Sequence, residues 1–203
     1  MENEKDGRLL RSLKTKQKLL DAAFHIFLKN GFEKATITQI IKEANVGYGS
    51  AYTHFNGKDD ILIALMDNIM DDFYQIAELP FEPKSVKEAK AKINHQVIKF
   101  LELAESERNI LKVFYEAKGM STEVENRWNK IRERFVERIS QDIAYSQNMG
   151  LAKPMLNKHL VAKSWFFSNE MYLWDLVIHE KYNYSIEEIA NAMTEIYTSG
   201  LYE

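Results

Sequence analysis

The chain has 203 residues, 45% hydrophobic and 12% aromatic, with no cysteine. That is enough material to withdraw roughly 70% of the unfolded surface from water, which excludes a disordered chain, while the missing thiols exclude disulfides, thiolate zinc sites and cysteine nucleophiles. The net charge of −3 is unevenly spread: residues 8–58 hold nine basic groups against Asp21, Glu33 and Glu43, for +6, and residues 59–203 sum to −7. A basic end on an acidic remainder reads as a small polyanion-binding module, or as chance clustering. No stretch approaches the ~18 uncharged apolar residues of a membrane span, and the charged start MENEKDGRLL has no apolar run behind it, so a cytoplasmic chain without membrane association is expected.

Eight glycines and three prolines leave little punctuation, and the periodicity is helical throughout. Leu19, Leu20, Ala22, Ala23, Ile26 and Phe27 form one apolar stripe, which predicts a helix over Lys16–Asn30 that stops at Gly31. Thr36-Ile37-Thr38-Gln39 is a capping box for a two-turn helix, Ile37–Glu43. Asn45 tolerates the left-handed conformation of a tight turn, and a second short helix covers Tyr48–His54. Lys58 opens a long helix to Ala77. Pro80 and Pro83 mark its end, and Ser85 caps a helix to about Ala104. Further helices follow over about Glu107–Lys118 and Thr122–Asn148, from Asn157 to about Lys181, and from the Ser185–Glu188 box to about Ser199. The fold class is therefore all-α, with about nine helices and no internal repeat.

Three helices in the first 55 residues, the last two short and joined by a tight turn, have the form of a helix-turn-helix. Small residues at Gly47, Gly49, Ser50 and Ala51 allow close approach to a major groove. Tyr48, Tyr52, Thr53, His54 and Lys58 are the side chains that can hydrogen-bond phosphate or base edges. Tyr52 and His54 can alternatively pack on the first helix. The basic run Arg8, Arg11, Lys14 and Lys16 reads either as an arm for a minor groove or as a solvated, frayed terminus. Phe55 and Val46 read as core.

Lys18–Leu65 resembles the DNA-binding domain of the TetR/AcrR family of transcriptional regulators. The residues that carry the resemblance are Leu20, Ala22-Ala23, Phe27 and Asn30-Gly31-Phe32. They continue through Thr36, Ile40, Ala44-Asn45-Val46, Gly49-Ser50-Ala51-Tyr52-Thr53-His54-Phe55, Lys58 and Ile61-Leu62. The chain departs from the family's common pattern at Ile41, Asn45, Gly47 and Tyr48, where alanine, glycine, serine and lysine are frequent. The resemblance implies a DNA-binding domain over 1–57 and a helical ligand-binding and dimerisation domain over 58–203, bridged by the helix 58–77. It implies backbone contacts from Thr36, Tyr52, His54 and Lys58, and base-edge contacts from Gly47, Tyr48 and Ser50. Thr38 joins either group.

The resemblance further implies a repressor released from a palindromic operator in double-stranded DNA by an apolar small molecule. Met66, Met70, Phe73, Phe100, Phe114, Trp128, Phe135, Trp165 and Tyr172 are the candidates for the pocket wall, each equally readable as core. The last two helices would form the homodimer interface, with Trp174 and Ile178, and Met193 and Ile196, one turn apart. No cofactor is implied. An enzyme is disfavoured: His25, His54, His95, His159 and His179 are scattered without a second ligand at metal spacing, and no phosphate loop or nucleophile elbow appears. A helical adaptor without DNA binding is the other alternative.

Overall fold

In the computed structural model the described residues are 2–179 and 183–201. They form nine helices and no strand: α1 (Glu2–Lys34), α2 (Ile37–Glu43), α3 (Tyr48–Tyr52), α4 (Lys58–Ala77), α5 (Val86–Ser106), α6 (Arg108–Lys118), α7 (Thr122–Asn148), α8 (Lys158–Ile178) and α9 (Ile186–Leu201). The expected continuation of α8 to Lys181 lies outside the described residues. Side-chain caps set several of the starts. Ser85 accepts from the Glu88 amide at 3.2 Å, Asn157 accepts from His159 and Leu160, and Ser185 and Glu188 bond each other's amides reciprocally.

The first helix departs from expectation. It begins near the start of the chain instead of at Lys16, so the basic run Arg8, Arg11, Lys14 and Lys16 is helical rather than frayed or extended. The physical reason is local: from Arg8 to Asn30 there is neither glycine nor proline, and most residues are good helix formers. Bonds one turn apart support it, Arg11 Nε to the Gly7 carbonyl and Gln17 to Asp21. Gly31 does break the helix, at φ +73°, and a single turn follows to Lys34.

The chain divides into two compact units. The first holds residues 1–69 and 109–128, and the second holds 70–108 and 129–203. The division thus falls inside α4 rather than before it, and most of α6 with the start of α7 joins the N-terminal helices. In the first unit Leu19, Phe27, Phe32, Ile40, Ile41, Ile61 and Leu62 are buried with Ile110, Phe114 and Trp128. Each large apolar side chain so buried contributes about 1.5–3 kcal/mol relative to exposure. Val46 is only half-buried, whereas Phe55 is buried as expected.

The second unit is built on α5, which packs against α8 and α9. Val97, Leu101, Leu176, Ile189 and Met193 form its core cluster. A run of aromatic contacts extends it: Phe73 meets Phe100 edge-on at 5.1 Å, Tyr74 meets Phe135 at 4.8 Å, and Phe135 stacks on Phe166 at 5.3 Å. Glu170, almost fully buried, is held by a two-pronged pair from Arg132 and accepts from the Trp174 indole N–H at 3.1 Å.

Candidate nucleic-acid interface and interior cavity

The polar face of the first unit is assembled from α2, α3 and the turn between them. Thr36 Oγ1 accepts from the Gln39 amide at 3.2 Å, and Gln39 Oε1 accepts from the Thr36 amide at 2.9 Å, so the capping box is complete. Both Thr36 and Thr38 are exposed. Asn45 turns the chain at φ +51°, and Gly47, in extended conformation, opens α3 without a side-chain cap. Only Ala51 of α3 is buried, which anchors the helix while Tyr48, Ser50 and Tyr52 stay outside. Tyr48 and Tyr52 are 54% and 49% exposed, so neither serves the core. Thr53 is also exposed, its hydroxyl donating to the Ser50 carbonyl at 2.6 Å, and His54 is half-buried with its ring tilted against Phe55.

Lys58 has a second occupation. Its Nζ donates to the Phe32 carbonyl at 2.7 Å and the Glu33 carbonyl at 3.1 Å, and sits 4.3 Å over the Phe32 ring. One of its three ammonium protons therefore remains for an outside acceptor. The same short turn is gripped from its other side by Glu116, which accepts from the Phe32 and Glu33 amides at 3.1 and 3.0 Å. Nothing in the sequence pattern points to Glu116, because its partners are more than eighty positions away. Around Gly31 it leaves no spare room: a Cβ there would lie 3.0 Å from Glu116 Oε2.

The second unit contains a cavity of about 70 Å³ walled by Ile76 and Ala77 of α4, Ile93, Gln96, Val97 and Phe100 of α5, Phe135, Ile139 and Asp142 of α7, and Trp165, Phe166 and Asn169 of α8. Of the sequence candidates, Phe100, Phe135 and Trp165 stand in this wall. Phe73 is buried behind Phe100, and Met70 is buried in the same unit without lining the cavity. Met66, Phe114 and Trp128 are instead core residues of the first unit. Tyr172 lines a separate, more open groove of about 500 Å³ with Leu160, Met171, Ile196 and Tyr197. Trp174 and Met193, expected on an interface, are buried within the chain, whereas Ile178 and Ile196 are exposed.

The cavity's polar groups were not singled out from the sequence. Asp142 pairs with Arg138 one turn earlier, a spacing that ordinarily marks a solvated helix face. Here burial dominates and pushes the Asp142 carboxyl up to about 6, against the opposing pull of the Arg138 guanidinium. No group of three or more His, Cys, Asp or Glu that could hold a metal occurs among the described residues, and no described helix is long and apolar enough to cross a membrane.

A helix-turn-helix with an exposed second helix, in a chain whose other unit surrounds an aromatic cavity, defines a DNA-binding regulator of the one-chain, two-module kind. Residues 19–65 match the bacterial regulatory proteins of the tetR family, and residues 93–203, more than half of the chain, match the C-terminal domain of the transcriptional regulator EthR. The chain belongs to the TetR family of bacterial transcriptional regulators. It is 24% identical over 185 residues to the fatty acid metabolism regulator protein of Bacillus subtilis, covering 91% of this chain and 94% of that one. In fold it is similar to the transcriptional regulator FadR from Bacillus subtilis in complex with stearoyl-CoA, with a TM-score of 0.73, 22% identity and coverage of 91% and 98%. It is likewise similar to the SmeT–triclosan complex, with a TM-score of 0.72, 16% identity and coverage of 93% and 92%. The Bacillus subtilis relatives are regulators, and the chain, as a member of this family, is a regulator rather than an enzyme.

Proposed function

We propose that the protein is a homodimeric repressor that binds a two-fold-related operator and leaves it when an apolar small molecule occupies the cavity of the second unit. The observation that carries this reading is α3: it is pinned by buried Ala51 and leaves Tyr48, Ser50 and Tyr52 exposed, as Thr36 and Thr38 are at the start of the supporting helix. In this reading residues 1–57 contact DNA and residues 58–203 bind the effector and the second copy. Tyr48, Gly47 and Ser50 face base edges. Thr36, Tyr52, Thr53, His54 and the remaining proton of Lys58 hold phosphates.

The dimer contact is supported by the open groove of the second unit and by side chains beside it that are apolar yet exposed, Leu160 at 63%, Met171 at 55% and Ile196 at 78%. Two copies are required because one α3 reads only a half-site, and half-sites on one face of DNA lie about 34–36 Å apart. The effector reading is supported by the aromatic wall, and the FadR and SmeT relatives were each solved with a small molecule. Helix α4 begins with Lys58 and ends with Ile76 and Ala77 at the cavity, so an occupant can shift the equilibrium only by favouring one placement of that helix.

The test is selection of bound duplexes from a random-sequence pool, with light scattering on the same sample. A dimer that enriches an inverted repeat is the expected result. A monomer, or a pool that shows no enrichment, overturns the reading.

A further inference from the structure

The chemistry of the cavity wall narrows the effector. Its aromatic members pack on one another, Phe135 stacked on Phe166 and in edge contact with Phe100. Two of its polar members offer acceptors. Asp142 gives one carboxylate oxygen to Arg138 Nη1, and no described residue bonds the other. Asn169 donates its Nδ2 to the Trp165 carbonyl at 2.9 Å, and because a carbonyl can only accept, this fixes the amide with Oδ1 as the atom still to be matched. Gln96 completes the polar set. No lysine or arginine stands in the wall; Arg138 is already engaged by Asp142 and, through Nη2, by the Leu79 carbonyl at 3.3 Å.

We infer that the effector of this cavity is a small amphiphile whose polar end is a cationic hydrogen-bond donor, an alkyl or aralkyl amine, and not an alkyl carboxylate or phosphate. The inference rests on the reading of the cavity as the effector site and adds the charge and polarity of what enters it. A protonated amine has N–H donors for the free Asp142 oxygen and the Asn169 carbonyl oxygen, and its positive charge meets the Asp142 carboxylate. A carboxylate would meet the like charge of Asp142 and the Asn169 oxygen, with only the neutral Gln96 amide to donate to it and no free cation in the wall. The burial that opposes ionisation of Asp142 fits the same picture. Burial outweighs the pull of Arg138 on this carboxylate, and a bound cation beside its second oxygen offsets that burial further.

Titration calorimetry on the full chain at pH 8 compares three probes of one chain length: hexylamine, hexan-1-ol and hexanoate. Hexylamine is expected to bind at least about tenfold more tightly than hexanoate, with the alcohol between them. In Asp142→Asn the amine should lose most of that advantage while hexanol binding stays within about twofold. Hexanoate binding as tightly as the amine, an amine preference that survives Asp142→Asn, or no binding of any probe would each overturn the inference. If the variant does not fold, the wild-type ratio of amine to carboxylate decides alone, with hexyltrimethylammonium, a cation without an N–H, expected to bind more weakly than hexylamine. Operator release is followed separately by fluorescence anisotropy. Selective amine binding without release refutes the inducer reading and leaves the ligand class standing, whereas release by hexanoate does the reverse.

Discussion

Helix α3 of the first unit and helices α8 and α9 of the second treat their surfaces in opposite ways. On α3 the small Ala51 is buried, and the aromatic side chains left outside, Tyr48 and Tyr52, carry hydroxyls. In the second, the side chains left outside on α8 and α9 include purely apolar ones, Leu160, Met171 and Ile196, while the carboxylates Glu170 and Asp142 are drawn inward. A surface that meets a hydrated polyanion needs polar tips on a firm scaffold. One that meets a protein face or a small molecule needs exposed apolar area and a few placed polar groups. The contrast fits the apolar character of α8 on more than one side: one side serves the chain's own core, and another, with Leu160 and Met171, stays exposed.

The inward carboxylates are the place to break this contrast. Glu170→Ala removes the partner of Arg132 and the acceptor of the Trp174 indole in a nearly dry setting, and should lower stability by about 3 kcal/mol in a urea melt. Replacing both members of the pair, Arg132→Met with Glu170→Leu, should recover much of that loss. If Glu170→Ala alone costs less than the double replacement, the buried pair is not what holds α7 against α8.

On the outward side, Tyr48→Ala should leave the melting curve nearly unchanged because more than half of the residue is exposed, yet weaken operator binding about tenfold and relax base preference at one or two positions. An equal loss on every sequence would make Tyr48 a phosphate contact instead.

The smallest effect sharpens the comparison by pH. The Asp142 carboxyl titrates near 6 in the fold against 3.8 as its ordinary value. Its ionisation therefore opposes folding at pH 8, and this cost fades as pH falls through 6 and is gone below 3.8. Asp142→Asn has no such cost. It should melt about 2 °C above the wild type at pH 8, with the difference shrinking as pH falls below 6 and closed below 3.8. A difference that grows in acid would mean that Arg138 depends on the charge of Asp142 more than burial opposes it.

Much of this architecture is legible in the sequence because short-range chemistry decides it. The boxes at Thr36 and Ser185 and the caps at Ser85 and Asn157 locate helix starts, and α2, α4 and α7 run between the residues expected. The helix-turn-helix is legible for the same reason, since its turn needs Asn45, but Ala51, expected among the small residues facing the groove, is buried and anchors α3 instead. What escapes is non-local. The early start of α1 follows from the absence of any stop, a weaker signal than a cap. Whether a buried methionine or aromatic such as Met66, Phe114 or Trp128 faces a void or a neighbour leaves no mark in the periodicity. Asp142 escapes because an i,i+4 pair with Arg138 is what a wet helix face also shows.

The grip of Glu116 on the turn after Gly31 has a use in the laboratory. Amides in the first turn after a helix break have no helical acceptor and would exchange with deuterium freely in water, but those of Phe32 and Glu33 are bonded to a carboxylate of α6. Their exchange rates therefore read out one event, the approach and departure of a single side chain. Recorded with and without operator or effector, these two neighbouring amides time the motion of α6 against α1 from within the protein, with no label attached.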